Sequence, residues 1–284
     1  MRIALIADTH LSSRVPECLT NWHGARAAVR RLGTDLTINL GDVTFDGQHR
    51  PDDLALAGEL VAQWPHPMLC VPGNHDVGDA SGEAPFDPTR RAAYCANLGA
   101  DHWSLTVGDW LLLGLNAQLF GTGSDAEQQQ WQWIDERIRL LDNHTSVALF
   151  LHRPLARPHA GEHQRRGRYV PEPASDKLLH GPLRRNLKLV ASGHLHQYLD
   201  RTVAGVRHLW LPSTAYLLGD DLQARIGEKL VGLGVLDLGD GDAAFDLWCP
   251  QGMVPHQVSE LEFYRRKALE RSRERLQMLG REAV

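Results

Sequence analysis

The chain has 284 residues, of which 43% are apolar and 23% are charged, and its formal net charge is −5. This composition is typical of a globular protein with one large core, and the mildly acidic charge excludes an overall field that attracts nucleic acid. No apolar run reaches the about 20 residues of a membrane span. Because the N-terminal apolar run is also too short for a signal peptide, we expect a cytoplasmic protein that binds neither a membrane nor, stably, a nucleic acid.

The first two thirds of the chain alternate short apolar runs with helical patterns. Apolar spacing near 3.6 residues predicts helices at 25–32, 52–64 and 125–141, the last of them capped by Ser124 or Asp125. Strands are predicted at 3–7, 36–40, 68–71, 110–116, 147–151 and 187–192. Continuous apolar runs such as 147–151 are typical of strands covered on both faces. The alternation favours a layered α/β fold.

The last third adds closely spaced strands with Gly-rich turns, at 206–212, 230–238 and 243–249. They predict a second sheet with antiparallel pairing, so the whole is interpreted as a β-sandwich flanked by helices. A polar loop at 153–175 is long enough to be functional or mobile. A charged helical tail at 257–284 follows the domain at 1–256, and it either packs on that domain or forms a homodimer contact.

Five short motifs carry the chemistry of the chain: Asp8-Thr9-His10, Gly41-Asp42, Gly73-Asn74-His75-Asp76, Leu151-His152-Arg153-Pro154 and Gly193-His194-Leu195-His196. Each follows an apolar run, at a strand end where a rigid sheet fixes side-chain positions. The first and last motifs have i, i+2 spacing, which points both donors to the same side. Nitrogen and oxygen donors without a thiolate favour Mn, Fe, Zn, Co or Ni. Since two such ions can activate water and bind phosphoryl oxygens, the motifs predict a dinuclear phosphoesterase site.

These motifs resemble the calcineurin-like metallophosphoesterase superfamily, whose pattern is D-x-H, G-D, G-N-H-[DE], H and G-H-x-H. Within it the chain is most similar to the class III cyclic nucleotide phosphodiesterases. Residues 41–47 are similar to their G-D-L-x-x-D-G, residues 71–76 and 193–197 also fit, and residues 129–133 resemble their Q-x-x-W helix. The resemblance implies a four-layer α/β/β/α sandwich of two mixed β-sheets. It implies hydrolysis of a small phosphodiester, a 3′,5′-cyclic nucleotide such as cAMP first of all, with other diesters, pyrophosphates and phosphomonoesters as alternatives.

The resemblance also implies a role for each motif residue. Two divalent metal ions, Mn or Fe before Zn, Co or Ni, are held at two sites that Asp42 bridges: the first by Asp8, His10 and His196, the second by Asn74, His152 and His194. A hydroxide held between the metals attacks the phosphorus in line. His75 stabilises the phosphoryl oxygens or protonates the leaving alkoxide, and Asp76 orients His75.

Three further positions bear on specificity and on the kind of metal. Arg153 stands where many relatives have a second His, and its guanidinium either binds substrate phosphate or lies at the surface. Asp46 either contacts the substrate or belongs to an Asp-Gly turn. Phe45 stands where purple acid phosphatases have a Tyr ligand, which argues against tyrosinate-bound iron. A non-catalytic metal-binding scaffold is the alternative class, and the complete ligand set together with His75 argues against it.

Overall fold

The computed structural model describes residues 1–79, 86–157, 167–267 and 269–270. Parts of the loop at 153–175 and of the predicted tail therefore lie outside the described residues. The strands are β1 (Arg2–Ile6), β2 (Leu36–Asn39), β3 (Met68–Cys70), β4 (Trp103–Val107), β5 (Trp110–Leu115), β6 (Ser146–Leu151), β7 (Leu187–Ser192), β8 (Leu199–Val203), β9 (Val206–Trp210), β10 (Leu233–Leu238) and β11 (Ala243–Trp248). The helices are α1 (Pro16–Leu32), α2 (Pro51–Ala62), α3 (Asn74–Val77), α4 (Pro88–Leu98), α5 (Asp125–Arg139) and α6 (Glu172–His180).

Two mixed sheets form the centre of the fold, as predicted. One has five strands in the order β11-β10-β1-β2-β3, and the other has six in the order β4-β5-β6-β7-β9-β8. Strands β1, β2 and β3 run parallel to one another, as do β5, β6, β7 and β9. The prediction that the last three strands share one sheet is wrong, because β9 pairs with β7 whereas β10 pairs with β1 and β11. Local apolar spacing reveals a strand but does not reveal its partner.

Three clusters of buried side chains divide the fold into four layers. The first cluster lies between the two sheets and includes Leu5 of β1 and Phe150 of β6. The second packs α1, α2 and α4 on the five-stranded sheet through residues such as Trp22 and Tyr94. The third packs α5 and α6 on the six-stranded sheet. The order helix, sheet, sheet, helix confirms the four-layer sandwich, and burial on both faces explains the continuous apolar runs of β5 and β6.

Helices α2 and α5 lie within about two residues of their predicted bounds. Helix α5 begins after Ser124, whose hydroxyl accepts a hydrogen bond from Glu127 N at 3.2 Å. Helix α1 begins well before its predicted start, with Pro16 in its first turn. Helix α6 begins at Glu172, so the prediction of a loop as far as residue 175 is wrong. Helices α4 and α6 were not predicted, although α6 buries three side chains, as many as α2.

The loops that follow the parallel strands meet at one edge of the sandwich. Asp8 N donates a hydrogen bond to Gly41 O at 3.0 Å within the five-stranded sheet, and Gly193 N donates to His152 O at 3.0 Å within the other. The two sheets are joined there by the His152 ring, whose Nδ1 lies 2.9 Å from Leu40 O. Loops at the carboxyl ends of parallel strands form the usual ligand crevice of such folds. Among the described residues, no helix is long and apolar enough to cross a membrane.

Candidate metal centre

The motif side chains converge at this edge in three overlapping groups: Asp8 with His10 and His196; Asp42 with His152 and His194; and His10 with Asp42 and His75. Within each group, one donor atom from every residue lies within 4.8 Å of the others. Asn74 joins the second group, because its Oδ1 is 3.3 Å from His152 Nε2. The fold thus brings every predicted ligand into one cluster, divided as the motifs imply.

The backbone of this cluster adopts a strained conformation. Among the described non-glycine residues, a positive φ occurs at Ala204 and at five predicted ligands, namely Asp8, His10, Asp42, His194 and His196. Left-handed backbone is unfavourable for most side chains, and such strain concentrates at functional sites. Hydrogen bonds hold the turns in place, as where His194 N donates to the Asp8 carboxylate at 3.0 Å. The strained turns direct donors from three separate loops, those after β1, β2 and β7, to a common point.

Asp42 lies between the first and second groups. Its Oδ2 is 3.9 Å from His10 Nε2 and 3.4 Å from His152 Nε2. Its Oδ1 accepts a hydrogen bond from His75 N at 2.8 Å, which leaves Oδ2 for the two groups. Burial opposes ionisation, but the neighbouring His152 and His75 hold the pKa of Asp42 well below its usual value. Asp42 is therefore a carboxylate that two cations can share.

Backbone carbonyls fix the orientation of three of the histidines. The outer nitrogens of His152, His194 and His196 lie 2.9, 2.9 and 3.2 Å from the carbonyl oxygens of Leu40, Gly167 and Tyr216. A carbonyl only accepts, so each outer nitrogen carries the proton and the inner nitrogen of the neutral ring carries a lone pair. His10 differs, since its Nδ1 is buried and finds no hydrogen-bond partner among the described residues.

The inner nitrogens face one another at distances that suit a shared cation. His152 Nε2 is 3.1 Å from His194 Nδ1, and His10 Nε2 is 3.2 Å from His196 Nε2. Two lone pairs at this distance repel unless a proton or a metal ion lies between them. Nitrogens bound at about 2.0–2.1 Å to one ion lie about 3 to 3.4 Å apart, so the observed spacing fits a metal ion in each group.

Burial and neighbouring charges favour neutral rings at His10 and His194 but a charged ring at His152 when no metal is bound. Burial lowers the pKa of His10 and of His194 well below the ordinary value, and the neighbouring His75 and His152 respectively lower it further. Burial also opposes protonation of His152, but the Asp42 carboxylate reverses this and raises the pKa of His152 to about 9. Without a metal His152 therefore holds a proton beside Asp42, and a divalent ion can take the place of that positive charge.

His75 lies over both groups and is open to solvent. Its ring centroid is 4.8 Å from that of His10, and its Nε2 is 4.0 Å from Asp42 Oδ2. Its Nδ1 is 2.7 Å from Phe45 O, so Nδ1 carries a proton and Nε2 faces the centre. The side chain is 34% exposed, which leaves it free to meet a ligand.

The Asp76 carboxylate binds the backbone of the loops around His75. Within the described residues, it accepts hydrogen bonds of 2.7–3.1 Å from the backbone nitrogens of Val43, Thr44 and Gly73 and from the Thr44 hydroxyl. These bonds tie the loop after β2 to the loop after β3. That Asp76 orients the His75 ring stays a prediction.

The surface interpretation of Arg153 is wrong, because the residue is 3% exposed. Its phosphate-binding role stays a prediction. The Arg153 Nη2 is 2.5 Å from Asp79 Oδ2. This buried pair links the loop that carries His152 to the loop that carries Asn74, behind the second group of donors.

Asp46 occupies a turn beside the centre. Its side chain accepts hydrogen bonds from Arg14 at 3.3 Å and from His49 at 2.8 Å, and its carbonyl accepts from the backbone nitrogens of His49 and Arg50. The structural interpretation, an Asp-Gly turn, accounts for these contacts. A direct substrate contact by Asp46 stays a prediction.

Two contributors to the site were not predicted. The Tyr216 ring packs 4.9 Å from the His10 ring and 5.1 Å from the His196 ring, besides the contact of its carbonyl with His196. Tyr216 follows β9, which is parallel to β7, so the rule that strand ends meet at one edge could have located it. Gly167 supplies only a carbonyl, and no side-chain pattern could have revealed that contact.

Gly73 lies so close to Asp42 that a side chain has no room. A Cβ at this position would be 2.1 Å from Asp42 Oδ1 and 2.2 Å from Asp42 N. We expect Gly73→Ala to displace the Asp42 carboxylate and to weaken metal binding by about 10- to 100-fold, the usual effect of disturbing the partners of metal ligands. Titration of the apoprotein with Mn²⁺ measures this. Gly239→Ala, whose Cβ would meet nothing nearer than 3.9 Å, is the control, and equal affinities in the two variants would contradict the prediction.

Comparison with known proteins gives one family and several relatives. The family model described as Calcineurin-like phosphoesterase matches residues 1–198, which include all five motifs.

The 3′,5′-cyclic adenosine monophosphate phosphodiesterase CpdA of Escherichia coli (strain K12) is 26% identical over 228 residues, 75% of this chain and 76% of that protein. The Serine/threonine-protein phosphatase CPPED1 of Pongo abelii is 31% identical over 140 residues, 46% of this chain and 42% of that protein, so the match spans less than half of CPPED1. A dimetal phosphatase from Danio rerio has the same fold, with a TM-score of 0.63 at 15% identity over 87% of this chain and 95% of that one.

Proposed function

The chain belongs to the calcineurin-like phosphoesterase family, and we propose that it is a two-metal phosphodiesterase that hydrolyses 3′,5′-cyclic nucleotides such as cAMP. Membership identifies it as a metallophosphoesterase, a hydrolase of phosphate esters. The observation that carries the proposal is the position of Asp42, with one carboxylate oxygen facing both His10 and His152. A shared carboxylate is what a centre with two ions about 3.5–4 Å apart requires.

The proposed ligands divide between the two ions as the geometry divides them. With Asp42 common to both, one ion would be held by Asp8, His10 and His196, and the other by Asn74, His152 and His194. When bound, two divalent ions generate a nucleophile from water at neutral pH and neutralise charge on the phosphoryl group. We propose Mn or Fe for these nitrogen and oxygen donors, with Zn, Co and Ni as alternatives. Elemental analysis of protein purified without chelators identifies the metals.

His75 is the proposed acid of the reaction. The Phe45 carbonyl fixes Nδ1 as a donor, so Nε2 is the atom that faces a bound phosphate. A proton on Nε2 can hydrogen-bond a phosphoryl oxygen or pass to the leaving alkoxide as the P–O bond breaks. Asp76 would keep the Phe45 carbonyl in place through its bonds to Thr44. These residues hold and move a proton without binding a metal themselves.

Two relatives point to different substrates. CpdA, which aligns with three quarters of the chain, is named as a cAMP phosphodiesterase, and the proposed substrate class follows that similarity. CPPED1 is named as a serine/threonine-protein phosphatase, which makes a phosphomonoester the second candidate. Because one fold serves many substrates, the site chemistry supports the reaction more strongly than the substrate. A cytoplasmic location and a homodimer contact through the tail also stay predictions.

The first test of the function is kcat/KM of the Mn-reconstituted protein for cAMP, beside bis(p-nitrophenyl) phosphate and a phosphoserine peptide. We expect at least about 10⁴ M⁻¹s⁻¹ for cAMP, the low end of ordinary enzymes, and a much lower value for the peptide. Cleavage of the activated diester alone would retain the phosphodiesterase chemistry and reject the cyclic nucleotide. A preference for the peptide would establish the phosphatase alternative instead.

A further inference from the structure

The C-terminal segment at 256–267 returns to the metal centre after the last strand. Leu217 N donates a hydrogen bond to His256 O at 2.8 Å, and Val258 N donates to Leu217 O at 2.9 Å. Leu217 directly follows Tyr216, which packs on two of the histidines at the centre. The segment is thus attached beside the first group of donors. It lies outside residues 1–198, the part that the family model matches.

Buried contacts hold this segment in one position. Val258 is 7% exposed and Leu261 is fully buried, in a cluster that also contains Phe45 and Tyr216. Residues 262–267 are helical, and Glu262 N donates a hydrogen bond to Glu17 Oε1 on α1 at 2.9 Å. The segment is therefore a fixed wall of the crevice, at least as far as residue 267.

Two consecutive aromatic residues of this wall extend toward His75. The Phe263 ring meets the Phe45 ring edge-on at 5.0 Å, and the Tyr264 ring lies 6.1 Å from Phe45. The Phe45 ring in turn lies 6.5 Å from the His75 ring. Phe263 and Tyr264 are only partly buried. Phe45 is 5% exposed and supports the rings of Phe263 and Tyr264, which together form an aromatic face.

Two cationic side chains pack against this aromatic face. The Arg14 guanidinium lies 5.5 Å from the Phe45 ring centroid and 5.4 Å from that of Phe263. The Lys267 ammonium lies 5.9 Å from the Phe263 centroid. Arg14 is itself paired with Asp46 at 3.3 Å and with Asp53 at 3.0 Å. An aromatic face of little net charge beside a phosphate site is complementary to a nucleotide, whose anionic part carries an uncharged planar base.

We propose that the aromatic face is the subsite for the base of a nucleotide whose phosphate lies at the metal centre. The inference rests on the proposed function and adds to it the residues that select the organic part of the substrate. Bases stack on aromatic side chains with little dependence on sequence, because every base has a π face. Since Phe263 and Tyr264 lie outside the family match, the common domain supplies the phosphate chemistry and the C-terminal segment supplies the preference for a nucleotide.

Binding of two phosphates that differ only by the base tests the subsite. We would titrate the Mn-loaded full chain with 5′-AMP and with ribose 5-phosphate by calorimetry. We expect AMP to bind at least about 5-fold more tightly, the low end of one base–aromatic stack. Phe263→Ala and Tyr264→Ala should each reduce this ratio, while Phe263→Trp should retain it. Leu269→Ala is the control, because Leu269 lies two residues beyond the segment and is 60% exposed, and it should leave the ratio unchanged.

Equal affinities of the wild-type protein for the two phosphates would overturn the inference, whatever happens in the variants. So would alanine variants that weaken both ligands by the same factor, which is the result of a merely structural role. The proposed function fails in a different way. If cAMP is not hydrolysed and AMP still binds preferentially through Phe263, the subsite stands and the cyclic substrate is rejected. If cAMP is hydrolysed without any preference for AMP, the function stands and the subsite is rejected.

Discussion

His75→Ala is expected to retain both metal ions and to lose about 100-fold or more in kcat, the range of general acid–base catalysis. The ring stands over the donors without being one of the proposed ligands, and its Nε2 faces the centre while its Nδ1 is held by the Phe45 carbonyl. Removing the ring removes a proton donor from the phosphate position and leaves the ligand set in place. Steady-state kinetics on bis(p-nitrophenyl) phosphate, with elemental analysis of the same sample, measures both effects.

A histidine far from the centre provides the control for this variant. The His180 side chain is 66% exposed at the end of α6, and His180→Ala should leave both kcat and metal content unchanged. Loss of a metal ion from His75→Ala would show that His75 is a ligand. An undiminished kcat would show that it does not take part in the reaction.

Asp42→Ala is expected to empty at least one of the two metal sites. The carboxylate lies within 4 Å of ring nitrogens in both donor groups, at His10 and at His152. Without it, those groups lose the negative charge that they share, and the histidines that remain face one another without compensation. The measurement is the metal-to-protein ratio after reconstitution with excess Mn²⁺ and removal of the unbound metal.

Two further variants test whether Asp42 bridges the two metal sites. Asp42→Asn preserves the shape of the side chain, and it should lower the ratio even if Asp42→Ala folds poorly. Asp46→Ala removes a neighbouring carboxylate that contacts Arg14 and His49 instead of the donor groups, so it should keep the wild-type ratio. Two ions per chain in both Asp42 variants would refute the bridging role.

Features that depend on residues close together in the sequence, such as strand ends and helix caps, could be predicted. Each donor of the centre follows an apolar run. Such a run forms a strand whichever neighbouring strand it pairs with. Because parallel strands of one sheet end at a common edge, Asp8 could be expected to meet Asp42, and His152 to meet His194. The meeting of these two pairs depends on how the two sheets pack. The capping of α5 by Ser124 was likewise visible, since the cap and its partner are three residues apart.

Contacts between loops that are distant in sequence were decided only by the tertiary structure. Arg153 is buried because Asp79 on another loop neutralises it, and the Asp76 carboxylate accepts a hydrogen bond from the backbone of Thr44. The pairing of β10 with β1, and the return of Phe263 to Phe45, also depend on how the layers pack. The amino-acid sequence by itself determined the donor types and the strand ends that carry them, because both are local properties. The three-dimensional packing of the whole chain decides which partner each side chain contacts. It also decides which residues line the crevice outside the proposed metal ligands.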